Sequence, residues 1–191
     1  MAYKVLRLKI TGESPLLLHN GQMADPLNSF AKMLKEISGK RNKTEADYRE
    51  MSRIEWYASL YLMDGKICIP GENIESCFVE GARKTRVGKA AQAGVICQDN
   101  PLIQYDGPQS PDELWLDERF RLVAGVKIKG SRIMRTRPIF RQWGLTFDLM
   151  FNDLLLNRSQ TAEIIKTSGE IVGLGDWRPK FGRFTVDVLS S

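Results

Sequence analysis

Between Tyr3 and Ile10 the chain alternates, with Leu6, Leu8 and Ile10 on one side and Arg7 and Lys9 on the other, the period of a half-buried strand. Gly12-Glu13-Ser14-Pro15 ends it, and the spacing then lengthens to that of helices. Asp25 stands where an N-cap is needed, Pro26 at the first helical position, and Phe30, Met33, Leu34 and Ile37 form one stripe up to Gly39. After the basic turn Ser38–Asn42, Thr44 and Asp47 have capping-box spacing. They open a helix striped by Tyr48, Met51, Ile54, Tyr57 and Leu60, with Glu45 and Arg49 paired on its polar face. Lys66–Ile69 reads as a short strand closed by Pro70-Gly71, and Asn73–Lys84 as a helix with Ile74, Cys77, Phe78 and Ala82 inward. Gly88–Gly94 reads as flexible and the Pro/Gly/Asp-rich Asp99–Asp117 as a long excursion. Arg121–Lys129 and Thr136–Phe151 read as two strands joined by a turn at Gly130–Arg135. Ser159 caps a helix reaching Ile171, with Ala162, Ile165 and Ser168 inward, and Phe184, Val186 and Val188 alternate in a last strand.

With the insertions removed, the order is β-α-β-β-α-β. The expected fold is therefore α+β, with a ferredoxin-like core of the kind that RNA-recognition folds use. Residues 1–191 form one domain, with a helical insertion at about 22–64 and an acidic loop or lobe at about 98–118. The chain has 191 residues, 42% hydrophobic and 27% charged, near the globular average and long enough to bury a core without disulfide or metal. Three cysteines, Cys68, Cys77 and Cys97, fit no common zinc spacing and read as reduced thiols of a cytoplasmic protein. His19 is the one histidine, which excludes a histidine-rich metal site, and no G-x-S-x-G elbow supports a triad. No apolar run is long enough to span a membrane, and no secretion signal is visible. No cofactor and no metal are expected.

Charge changes the picture more than composition does. The net charge is +5, but its distribution is uneven. Between Gln98 and Glu118 every charged side chain is acidic (Asp99, Asp106, Asp112, Glu113, Asp117, Glu118). Between Arg119 and Arg141 every one is basic, including Lys127, Lys129, Arg132, Arg135 and Arg137. Arg83, Lys84, Arg86 and Lys89 form a second basic knot and Arg178, Lys180 and Arg183 a third. Clustered charge of one sign is what a polyanion site requires.

Two motifs place those clusters. In Ile69-Pro70-Gly71-Glu72-Asn73, a turn leads from a strand to a helix start whose free N–H groups suit an anion, and the helix then delivers Arg83 and Lys84. In Gly173-Leu174-Gly175-Asp176-Trp177-Arg178-Pro179-Lys180-Phe181-Gly182-Arg183, the glycines permit close backbone approach to phosphates. There Arg178, Lys180 and Arg183 supply charge, and Trp177 is either a stacking platform or a core anchor. The expected site is thus Arg83, Lys84, Arg86, Lys89, Lys127, Lys129, Arg132, Arg135, Arg137, Trp177, Arg178, Lys180 and Arg183. Arg132, Arg135 and Arg137 are expected at the hairpin turn, with no carboxylate nearby in sequence to pair them.

Together these features resemble the RAMP superfamily, in particular the small backbone subunits of CRISPR effector complexes, and related small phage and prophage proteins. Ser14-Pro15-Leu16-Leu17-Leu18-His19-Asn20-Gly21 resembles the T-P-L-x-I-G-like stretch after the first strand. Ile69–Arg83 resembles the I-P-G-S-S-[IL]-K-G-x-x-R helix start, with Glu72-Asn73 in place of Ser-Ser and Glu75 where Lys is common. Gly173–Arg183 resembles the glycine-rich loop before the last strand. The resemblance implies a modified RNA-recognition fold that oligomerises along single-stranded RNA or DNA as a filament, alone or with other effector-complex subunits, without a membrane. Two alternatives stand beside this binding role. One is metal-dependent RNA cleavage through Asp25, which the resemblance places where some members carry a catalytic Asp, with His19 as a candidate acid–base residue. The other is a structural protein whose basic hairpin docks on the acidic stretch of a neighbour.

Overall fold

The computed structural model describes residues 3–128 and 130–189; of Lys127, Ile128 and Ser131 it describes the backbone only. Strand β1 (Tyr3–Gly12) is the spine: Leu6, Leu8 and Ile10 are wholly buried, while Arg7 and Lys9 lie on the opposite face. β1 runs antiparallel to β8 (Gly144–Asn152), from Tyr3↔Asn152 to Thr11↔Gly144. On its other side β9 (Phe184–Val188) pairs from Leu8↔Val188 to Gly12↔Phe184. β5 (Val95–Ile96) adds to the far edge of β8, giving the four-stranded antiparallel order β5-β8-β1-β9. Two helices join the buried face to the core: α3 (Gly71–Lys84), before β5, and α6 (Arg158–Ile171), between β8 and β9. They pack closely because Gly81 carries no side chain; a Cβ there would sit 2.0 Å from Ser168 Oγ. The other face of the sheet mixes signs, with Arg7 opposite Asp148 and Lys9 opposite Asp187.

The second sheet has the order β2-β7-β6. β6 (Arg121–Ile128) and β7 (Ser131–Phe140) form a long hairpin, and β2 (Leu16–Leu17) pairs with its base at Phe140 and Ile139. Two expectations change here. The single strand expected over Thr136–Phe151 is two strands, broken at Arg141-Gln142-Trp143; Trp143 is buried and its indole N–H donates to Ser14 O at 2.8 Å. The turn is also tighter than Gly130–Arg135, since pairing already resumes at Ile128↔Ser131. Arg132, Arg135 and Arg137 are therefore strand residues.

The remaining elements are helical or short. α1 (Ser29–Ser38) is capped by Asn28, which accepts from Phe30 N at 2.9 Å; the Asp25 carboxylate instead accepts from Leu27 N in a separate turn. α2 (Glu45–Ala58) begins in the expected Thr44/Asp47 capping box. Asp47 lies well below the usual carboxylate range, at about 2, because Lys40 and the Thr44 backbone hydrogen-bond it. β3 (Leu62–Met63) and β4 (Lys66–Ile67) make a small hairpin, so the strand expected to reach Ile69 is shorter. Gly88–Gly94 is a helix, α4, rather than a flexible link: Ala91 is wholly buried, and Gly94 lies against Leu155. α6 is capped by Asn157 in a capping box with Gln160, two residues before the expected Ser159. Residues 99–117 carry α5 (Pro111–Leu116) and pack into the core through Ile103 and Leu114, while Tyr105 meets Phe120 and Phe140 edge-on or tilted. The architecture is α+β with antiparallel sheets. Among the described residues no helix is long and apolar enough to cross a membrane.

Candidate nucleic-acid interface

The glycine-rich loop between α6 and β9 is bound to the strand-end segment Glu13–Leu17. Gly173 N donates to Ser168 O at 2.8 Å, closing α6 with a residue at φ +81°, as helix C-termini favour. Leu174 N then donates to Gly182 O, Gly182 N to Pro15 O and Asp176 N to Leu17 O, each at 2.8 Å. At Gly175 a Cβ would sit 2.3 Å from Leu17 O, so glycine is needed there for backbone packing. The main-chain donors of Gly173 and Gly182, expected to face phosphates, are thus occupied inside the fold. What the loop turns outward is side chains: Trp177, Arg178, Pro179 and Lys180 are all exposed. Trp177 is 37% exposed and stands tilted to Phe181 at 5.9 Å, which makes it a surface ring and not a core anchor. Lys180 lies over Phe181, 5.7 Å from its centroid.

The start of α3 is closed in a similar way. Gly71 N donates to Asn100 Oδ1 at 2.9 Å, and a Cβ on Gly71 would sit 2.1 Å from Cys97 O. Glu75 accepts from Cys97 N at 2.8 Å. The segment around Cys97–Asn100 covers the helix start expected to hold an anion. The three cysteines are buried and free, and burial pushes the Cys77 and Cys97 thiols up to about 12, far from reactive thiolates.

The arginines of β7 do find carboxylates, but distant ones. Glu55, at the end of α2 and 3% exposed, accepts from Thr136 N at 3.0 Å and pairs with the Arg135 guanidinium. Arg137, its side chain 12% exposed, has Nε 3.8 Å from Asp176 of the glycine loop. Burial lowers the Arg137 pKa from its ordinary value, with Asp176 and Glu55 opposing. His19 is exposed nearby, and partial desolvation first, then the Arg137 charge, lowers its pKa below 6.5, which disfavours the charged ring.

These groups line three adjoining depressions. Lys84, Trp177, Arg178 and Pro179 border one of about 470 Å³, with Glu80 and Asp176 also on its rim. Arg178 and Asp176 also border a pocket of about 220 Å³ with His19, Tyr61, Asn73 and Ser76. His19 in turn borders a third, of about 470 Å³, with Met23, Leu34, Arg135 and Arg137. Shared residues join the three into one track from the end of α3 to the root of the hairpin. It brings together Lys84, Arg135, Arg137, Trp177 and Arg178 from separate stretches of sequence.

The other expected residues fall outside that track. Arg83 pairs with Glu80; Arg86 and Lys89 are exposed at the α3–α4 junction; Arg183 is exposed at the start of β9. Arg132 is exposed higher on the hairpin, its side chain lying over Gly125. Lys129 lies outside the described residues, as does the side chain of Lys127. Asp25 is exposed and engaged with Leu27 N, and no group of three potential metal ligands occurs among the described residues. The expected site did not include Glu55, Tyr61, Asn73, Ser76 or Asp176; Asn73, Ser76 and Asp176 lie inside the two motifs quoted above, whereas Glu55 and Tyr61 lie in neither. A cleft of about 820 Å³ between α2, α5 and the hairpin lies on the other face of β6–β7. Its arginines each have a near acid: Arg49–Glu45, Arg53–Glu50 and Arg121–Glu118.

No protein-family model matches this chain, and no curated protein matches it. Among solved structures it is similar to the crystal structure of Cmr6 from Pyrococcus furiosus, at 10% sequence identity and a TM-score of 0.38, over 97% of this chain and 99% of that one.

Proposed function

We propose that this chain is a single-strand nucleic-acid-binding protein of the RAMP type, acting in the cytoplasm, and that its subunits follow one another along the strand. The observation that carries the reading is the continuous track from Lys84 through Trp177, Arg178 and His19 to Arg135 and Arg137. Cationic heads along such a track neutralise successive phosphates, and an exposed indole offers every base a flat face, so binding is sequence-tolerant and salt-dependent. The strand order β5-β8-β1-β9, with α3 and α6 on the buried face, supports a ferredoxin-like βαββαβ core. Self-association has support in the charge pattern: Asp106 and Glu113 have no ion-pair partner among the described residues, and the basic hairpin projects from the same domain. Heterologous pairing of two such patches does not close on itself.

Fluorescence anisotropy with labelled single-stranded RNA, single-stranded DNA and duplex, each across a salt series, tests the reading. Both single strands should bind more tightly than duplex. The combined Lys84→Ala, Arg178→Ala, Lys180→Ala variant should bind more weakly and lower the salt slope by about 2, at about 0.7 per lost single-strand phosphate contact. A folded triple variant with wild-type affinity and slope contradicts the reading.

A further inference from the structure

We propose that the pocket between His19 and the glycine loop holds one ribonucleotide of the bound strand, with Asp176 accepting a hydrogen bond from its 2′-hydroxyl; this rests on the single-strand reading above. Phosphate contacts alone do not tell RNA from DNA, yet this pocket is not a basic patch. Its lining combines the carboxylate of Asp176 with the guanidinium of Arg178, the hydroxyl of Ser76, the amide of Asn73, and the rings of His19 and Tyr61. At about 220 Å³ it is smaller than the pocket of a drug-sized ligand and suited to a single nucleoside.

Each wall has a fixed chemistry. Asp176 is held in place: its Oδ1 accepts from Trp177 N at 3.0 Å, while Oδ2 faces Arg137 Nε at 3.8 Å, too long for a hydrogen bond. Its side chain remains 27% exposed, so an acceptor oxygen is free to take a new donor. A carboxylate repels phosphate, so beside Arg137 and Arg178 the free Asp176 oxygen favours a ligand group that donates. On a polynucleotide backbone that group is the 2′-hydroxyl, which separates RNA from DNA. Tyr61 is fixed by donating its hydroxyl to His19 O at 3.0 Å, leaving its ring as a wall for a base. His19 adds a second ring, and Arg178, exposed at the mouth, meets the adjoining phosphate. Asn73 and Ser76, on the first turns of α3, supply donors and acceptors for the base edge or sugar.

The test compares one sequence as RNA, as DNA and as 2′-O-methyl RNA. The methylated strand keeps the ribose pucker and the oxygen but loses the donor. Wild-type protein should bind RNA about tenfold more tightly than either of the other two, the worth of one hydrogen bond to a charged acceptor. Asp176→Asn should shrink that preference severalfold whatever it does to overall affinity, because the readout is a ratio. Equal wild-type binding of RNA and the methylated strand overturns the pocket assignment while leaving the single-strand reading intact. So does an unchanged ratio in Asp176→Asn. Should that variant fail to fold, the wild-type comparison of the three strands decides alone. No binding to any of the three overturns the single-strand reading and the pocket with it.

Discussion

Replacing Glu55 by Gln probes the joint that holds the hairpin to the helical insertion. Glu55 sits in the last turn of α2, 3% exposed, with one oxygen accepting from Thr136 N at 3.0 Å and the other paired with Arg135. Glutamine keeps the shape and one acceptor, but it turns an amide donor toward one of two existing donors and removes the counter-charge. Breaking a buried ion pair from one side costs about 3–5 kcal/mol. The Arg135 side chain is 27% exposed, so water recovers part of its charge and the expected loss falls to about 2–3 kcal/mol. For a domain of this size that lowers Tm by about 5–10 °C. Urea denaturation of wild type, Glu55→Gln, Arg135→Met and the double variant measures both the loss and the coupling between the two residues. A Glu55→Gln protein within about 0.5 kcal/mol of wild type, the range of ordinary surface changes, refutes the claim that this carboxylate pins β7.

Three further outcomes are expected. Gly182→Ala places a Cβ 1.7 Å from Leu174 O at a residue with φ +77°, so it should destabilise the fold by more than about 3 kcal/mol, read by denaturant melts. Trp177→Ala should weaken single-strand binding by about 1–3 kcal/mol with little change in stability, since the ring is already 37% exposed; a large fall in Tm with unchanged affinity would reverse the assignment. His19 has a folded-state pKa below 6.5, so the unfolded chain binds the extra proton. Its contribution to stability is present above pH 6.5 and is lost as the pH falls through the folded-state value. His19→Gln should flatten that slope in urea melts between pH 7.5 and 5.5.

The parts of the fold legible in the sequence are those set by local rules. The alternation of Leu6, Leu8 and Ile10 gives β1, and Thr44 with Asp47 gives the start of α2, because both signals lie within a few residues of each other. Gly88–Gly94 misleads because its glycines look permissive; tertiary packing, with Ala91 wholly buried, overrides that propensity. The break between β7 and β8 is hidden because apolar residues continue on either side of Arg141-Gln142, and Trp143 turns inward to Ser14 only in three dimensions. The basic clusters were legible in the sequence, but their pairing was not. Arg135 meets a carboxylate 80 residues away, and Arg137 meets one in a loop whose glycines suggested phosphate instead. Those glycines serve backbone packing against Pro15 and Leu17, so the side chains around them, not the main chain, face outward.

Mapping where a strand lies on the protein tests the central claim most directly. Single-stranded RNA carrying 4-thiouridine, crosslinked by long-wavelength light and located by mass spectrometry, reports the residues against which bases stack. The track described above predicts crosslinks in the peptides containing Trp177 and Phe181 and in those containing His19 and Tyr61, lost at high salt. Crosslinks confined to the open face of the sheet around Tyr3–Lys9 and Thr146–Asn152, or to the cleft between α2, α5 and the hairpin, would contradict it.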